Sequence, residues 1–328
     1  MPSWLSTTLK LGLSFGLCAL LLAHVDWDQM RGQLVGASIP LLLLGAIFVF
    51  IQFFLTALRW AVVLRLLKTP LGTWQAVKIA TLSNTFSQLL PVASGGDVVR
   101  VWQGVRAGMR LSTSMNSVVL ERLTGLLALI GLLCLSLPTL LVEMPDPNAQ
   151  ISLFAAILAL FGGMILLLAG RYILRPFTRW RLFRYIVKLS EDTHAIIAAG
   201  RWFVALLAIS TAGLLCWCFA VYLFAHAVHL PLSIKDSIVL VLPVILILAL
   251  PFSLTGWGVR EGAMVLTLGL AGLSYEQALL VSLLTGLAFL MTGLPGAFMI
   301  LFLGKKRALG DMPETMSPVM TEATSQAE

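Results

Sequence analysis

Charge is what this sequence has least of. Only 11% of its 328 residues are charged, against 59% hydrophobic, where a soluble domain carries about 25% charged residues. So few charges cannot cover a 35.6 kDa globule, which excludes a soluble enzyme or binding module. The apolar excess also excludes a disordered chain. Polar–apolar alternation is missing. The apolar stretches are solid runs, such as Leu41–Leu44 and Ile238–Leu242, which excludes a transmembrane barrel and leaves the α-helix as the spanning unit. Cysteine is scarce: Cys18, Cys134, Cys216 and Cys218 all lie inside apolar runs, and no disulfide or metal framework is indicated. The sequence has no P-loop, no in-membrane nucleophile–base pair and no His/Asp/Glu metal cluster, so neither enzymatic chemistry nor a cofactor is expected. Acidic residues number 15 against 22 Lys and Arg, for a net charge of +7. That excess clusters in loops between apolar runs, as positive-inside orientation requires, and does not point to nucleic acid.

What the sequence has is apolar runs of spanning length. A 30 Å hydrocarbon core needs about 20 residues, and runs near that length lie at 5–25, 39–58, 114–141, 151–170, 203–226 and 277–303. Leu21 and Ala23 do not fit a cleavage site, so the first run is expected to stay as a helix. Basic clusters fall at Arg59, Arg65, Lys68 and Lys78, then between 171 and 201, then at Lys305–Arg307. Glu143 and Asp146 hold the only charges between 142 and 150. Six spans with both termini cytoplasmic put every basic cluster inside and the acidic loop outside. Trp4, Trp27, Trp60 and Trp202 fall near span ends as interfacial anchors. One transmembrane domain is expected over 1–305, with a disordered cytoplasmic tail over 306–328.

Two shorter apolar pieces, Ile79–Leu90 and Ser237–Leu250, are flanked or ended in a way that suits re-entrant hairpins better than spans. They resemble each other. Leu90, Pro91, Gly96, Val99 and Arg100 recur as Leu250, Pro251, Gly256, Val259 and Arg260 at an offset of 160. Thr124-Gly125-Leu126 recurs as Thr285-Gly286-Leu287 at an offset of 161. With the charge-based topology, the halves 39–141 and 203–303 form an inverted internal repeat. Short, Gly/Pro-broken helices at matching positions of such repeats point to transporters with a central site. The expected fold is therefore all-α and polytopic, with six spanning helices plus two re-entrant helical hairpins.

The blocks Leu90-Pro91…Gly95-Gly96-Asp97…Arg100, Glu121-Arg122, and Pro251…Gly256-Trp257-Gly258-Val259-Arg260-Glu261 resemble the membrane domain of the lysylphosphatidylglycerol synthase family, a flippase-like domain. The likeness extends over about residues 8–305. It implies a bacterial or archaeal cytoplasmic-membrane protein that moves, or helps to move, polar lipids between leaflets. In the two-domain synthases a cytosolic aminoacyl-transferase domain follows. Here a short polar tail follows Lys305, so aminoacylation is not expected.

The residues suggest how a lipid could be held. Ser94-Gly95-Gly96 reads as a turn into a helix, with Ser94 or Asp97 as N-cap. The open amides of that start form an anion site, and Arg100 one turn along can fork onto a phosphate. Gly256, Gly258 and Arg260 repeat the arrangement. A phospholipid or polyprenyl-phosphate-type lipid is the expected occupant. The alternative is a buried ion network in which Arg100 and Arg260 pair with Asp97, Glu121 or Glu261. Glu121 and Arg122 point about 100° apart on a helix, so one faces the site and the other the interface. Asn84 and Gln88 share a helix face and serve either a head group or helix–helix hydrogen bonds. His226 and His229 are read as interfacial rather than metal-binding. Ile173, Phe177, Trp180, Phe183 and Val187 recur at helical spacing among six basic residues between 171 and 188. That is either a basic amphipathic helix for anionic lipid or an ordinary positive-inside loop. A lipid translocase is the leading expectation. The alternatives are a non-transporting partner of a lipid-modifying enzyme and a membrane-embedded transferase.

Overall fold

A computed structural model describes residues 27–89, 95–143, 146–177, 179–249 and 258–303. The first apolar run, residues 90–94 with Leu90, Pro91 and Ser94, residues 250–257, and the tail all lie outside these residues. Every regular element among them is helical. In chain order these are α1 Trp27–Val35, α2 Ile39–Leu66, α3 Thr73–Leu89, α4 Gly95–Arg106, α5 Leu111–Glu143, α6 Pro147–Ile173, α7 Arg181–Ala198, α8 Arg201–Ala227, α9 Ile234–Ala249, α10 Val259–Leu270, α11 Tyr275–Met291 and α12 Leu294–Leu303. Among the described residues, five segments are long and apolar enough to cross a membrane: Ile39–Leu66, Leu111–Glu143, Gln150–Ile173, Arg201–Ala227 and Tyr275–Phe302. They contain five of the six runs read from the sequence. The chain is a multi-pass membrane protein.

Local chemistry sets several boundaries. Asp146 caps α6 by accepting the Asn148 amide at 3.0 Å, with Pro147 in the first turn, where its missing N–H costs nothing. Ser274 and Gln277 close a capping box at the start of α11. Gly258, before α10, holds φ at +82°, a conformation in which a side chain would be strained.

The two longest-packed helices are α2 and α8. They run antiparallel: the Ser38 amide at the start of α2 donates to the Ala227 carbonyl at the end of α8 at 2.7 Å. At the opposite ends, Arg65 lies 4.9 Å over the Trp202 ring. Gly45 permits the approach, since a Cβ there would sit 2.6 Å from the Phe224 ring. Behind this pair, α9 is buried from Val239 to Leu246 between α5, α8 and α10. With 16 residues, α9 reaches about 24 Å, short of a hydrocarbon core. The order long, short, 12-residue occurs twice: α2–α3–α4 with 28, 17 and 12 residues, and α8–α9–α10 with 27, 16 and 12; α5 with 33 residues follows the first set and α11 with 17 the second.

Four readings of the sequence need correction. The run 277–303 is not one helix; the chain turns at Thr292-Gly293 between α11 and α12. There α3 clasps the break: the Asn84 amide donates to the Thr292 carbonyl and hydroxyl, both at 2.9 Å, and the Thr85 hydroxyl donates to the Gly293 carbonyl at 2.7 Å. The amphipathic helix starts at Arg181, so Ile173 ends a different helix and, like Trp180, is exposed. The side chain of Phe177 lies outside the described set. Val187, Leu189 and Ile196 of α7 are buried, and Asp192 of α7 accepts from Asn116 of α5 at 2.8 Å. The apolar face of α7 is thus docked on protein. Trp60 is not an interfacial anchor: it is fully buried and donates its indole N–H to Ser117 at 3.1 Å. Arg59 does not belong to a loop, because α2 continues seven residues past it.

Candidate functional site

Gln52, Thr56 and Arg59 are spaced i, i+4, i+7 on α2, which puts them on one face. That face looks into a cavity of about 430 Å³ bounded by α2, α5, α6, α8 and α9. Arg59, Arg122 and Ser210 give the cavity further polar atoms, while Leu126, Leu129, Leu160, Leu214 and Ile245 line it with hydrocarbon. Its size falls within the ~300–1,000 Å³ of small-ligand sites.

The charges around the cavity are organised by Glu121, whose side chain is 3% exposed. One of its oxygens accepts two bonds from Arg59, one from Nε at 2.7 Å and a second from Nη2. The other oxygen accepts from Arg100 Nη1 at 3.4 Å. Arg59 Nη1 also donates to Ser210 on α8 at 3.2 Å. Arg100 stacks on Trp60, 5.0 Å from the ring centroid, and its Nε has no partner among the described residues. The guanidinium of Arg59 rests on Gly125, where a Cβ would stand 2.6 Å from Nη1. The buried Arg100 and the partly buried Arg59 therefore share one carboxylate.

Arg122, the next residue, points elsewhere and pairs with Asp97 of α4. Glu121 is buried, while Arg122 is exposed and lines the cavity. Asp97 is not an N-cap; it lies in the first turn of α4, which starts at Gly95. Gly96 packs against α3, close to the Ser83 carbonyl. In the second half Arg260 pairs with Glu261, and Glu261 also accepts the Gly258 amide. The Arg260 guanidinium rests on Gly286, its central carbon 2.8 Å from where a Cβ would be. The repeated Thr-Gly-Leu triplet thus provides a seat for an arginine in both halves. Gly256 lies outside the described residues.

Asn84 serves the helix break described above, and Gln88 packs against Gly293. His226 and His229 bond to the carbonyls of Tyr222 and Gly36. Among the described residues no group of His, Cys, Asp or Glu could hold a metal ion. Of the residues singled out from the sequence, the structure joins Arg100 to Glu121, Asp97 to Arg122, and Arg260 to Glu261. It adds Arg59, Gln52, Thr56 and Ser210, which sequence reading missed; the i, i+4, i+7 polar stripe at the end of an apolar run was the signal for the first three.

No curated protein matches the chain, and no solved structure does. The family model described as the lysylphosphatidylglycerol synthase TM region matches residues 7–296. That match takes in α1 to α11, with both arginine-bearing short helices and the Glu121 cluster, so the chain belongs to the lysylphosphatidylglycerol synthase TM region family.

Proposed function

We propose that this protein is a lipid translocase, moving a polar, phosphate-bearing lipid across the cytoplasmic membrane without covalent chemistry. The observation that carries this reading is the cavity beside Arg59, which joins polar groups of Gln52, Thr56, Arg59, Arg122 and Ser210 to hydrocarbon of Leu126, Leu129, Leu160, Leu214 and Ile245. An amphiphile needs both at once. Intramembrane ionisable groups are functional candidates by default because burying them is costly. The family's name links its membrane region to lysylphosphatidylglycerol synthesis, and so to polar lipid.

The transport geometry follows from the repeat. α2 and α8 are equivalent in the two length series and run antiparallel, which favours inverted halves. In this reading 5–25 is the sixth span, α3–α4 and α9–α10 are re-entrant hairpins, and both termini are cytoplasmic. Alternating access is rocking of such halves about a central site. The direct test is reconstitution of the full chain into vesicles holding a fluorescent phospholipid, with a membrane-impermeant quencher outside. The protected inner-leaflet pool should shrink faster than in protein-free vesicles. Equal rates would sink the translocase reading and leave a non-transporting partner of a lipid-modifying enzyme.

The segment before and along α7 supplies a contact for anionic lipid in the same membrane. Tyr172, Ile173 and Trp180 are exposed, and Arg179 and Arg184 beside them are exposed too. Interfacial aromatics with basic neighbours attract anionic head groups over about a Debye length. Brominated anionic lipid should quench Trp180, measured as the difference from Trp180→Phe, more than brominated zwitterionic lipid does. High salt should remove the excess. Equal quenching by both lipids would remove the preference.

A further inference from the structure

The Glu121 cluster has an unequal charge count. Arg59 and Arg100 both bond to Glu121, giving two positive charges against one negative. Arg122 adds nothing to the surplus because it is matched by Asp97. Side-chain exposures are 14% for Arg59, 11% for Arg100 and 3% for Glu121, so water screens the surplus poorly and a buried charge without a counter-charge is costly. An anion of one charge placed in the cavity would cancel it.

Arg59 is the group that can reach such an anion. It lines the cavity, and its bonds to Glu121 and Ser210 use three of the five N–H donors of a guanidinium. The hydroxyls beside it are committed: Thr56 donates to the Gln52 carbonyl at 3.1 Å, and Ser210 donates to the Leu206 carbonyl at 2.7 Å. Apart from Arg122, which is matched by Asp97, the donors left around the cavity are Arg59, the Gln52 amide and the Trp217 indole N–H, which has no partner among the described residues.

Resting on the translocase reading, we infer that this cavity is a head-group site for a lipid with a single net negative charge on a phosphodiester, contacted by Arg59, with Glu121 as the fixed counter-charge that sets the accepted charge. A phosphomonoester dianion overbalances the cluster. A choline head group sets its own cation against the guanidinium. The apolar wall of Leu126, Leu129, Leu160, Leu214 and Ile245 takes acyl chain, which a free anion would not use.

The test measures binding to the purified full chain in neutral detergent at pH 8, with phosphatidylglycerol, phosphatidylcholine and phosphatidic acid of identical acyl chains, and with inorganic phosphate as competitor. Phosphatidylglycerol should bind about tenfold more tightly than either other lipid, the scale of one charge-assisted contact. Inorganic phosphate should not displace it. Arg59→Gln should erase the preference, and Arg59→Lys should keep it at reduced affinity, because the charge stays and the fork is lost. In the folded fraction of Glu121→Gln, whose amide oxygen still accepts from Arg59, the surplus rises by one charge and the preference should move to phosphatidic acid. Equal binding of the three lipids by the unaltered protein would overturn the inference without any variant. An unchanged preference in Arg59→Gln, or displacement by inorganic phosphate at concentrations equal to the lipid, would overturn it too. Preference without accelerated exchange between leaflets upholds the site and sinks the translocase; accelerated exchange without preference does the reverse.

Discussion

Glu121→Leu should leave almost no folded protein in the membrane. The substitution removes the acceptor that Arg59 and Arg100 share and doubles the local positive surplus. Breaking a buried ion pair by deleting one partner costs about 3–5 kcal/mol, a large part of the ~5–15 kcal/mol that holds a typical domain together. Arg59→Leu added to Glu121→Leu returns the charge count to its original value and should restore much of the lost protein. Abundance in the membrane fraction and thermal unfolding in detergent give the readout. Wild-type abundance in Glu121→Leu alone would show that the cluster is not held by charge. No recovery in the double variant would show that packing, not charge balance, sets the loss.

Gly96→Ala should lower the melting temperature clearly. A Cβ at Gly96 would stand 2.6 Å from the Ser83 carbonyl oxygen and closer still to the Ser87 hydroxyl. Ser87 can rotate away. The carbonyl belongs to α3's backbone, so relief requires α3 and α4 to part. Overpacking of this kind costs about 1–3 kcal/mol. Gly131 and Gly163 supply the control, since a Cβ at either meets nothing within 4 Å. Alanine there should change stability by less than about 0.5 kcal/mol. If all three variants melt together, the α3–α4 contact is not as close as described.

The elements were legible where one local signal decides them. Solid apolar runs located five spanning segments, and the repeated Pro, Gly and Arg pointed to two short paired helices in corresponding places. Arg59 and Trp60 were misplaced for a physical reason. An apolar run ends visibly at the first charge, and positive-inside logic assigns that charge to water. What holds Arg59 inside is Glu121, 62 positions later, and no local pattern carries that distance. The pairing of Arg260 with Glu261 was open among alternatives because both the lipid contact and the ion pair use the same guanidinium. The break at Thr292-Gly293 had a local sign in Gly293 and Pro295. The groups that satisfy it, Asn84 and Thr85, belong to the other half of the chain.

That clasp also imposes an order on biogenesis. The acceptors at Thr292 and Gly293 follow their donors by 208 residues, roughly 10–40 s of synthesis at 5–20 residues per second. Through that interval the Asn84 amide and Thr85 hydroxyl need other partners, because unbonded polar groups are not tolerated in hydrocarbon. α3 must therefore wait where water or the insertion machinery can serve it. Only the arrival of Thr292 and Gly293 lets it settle, so the first half of the bundle is sealed by the second.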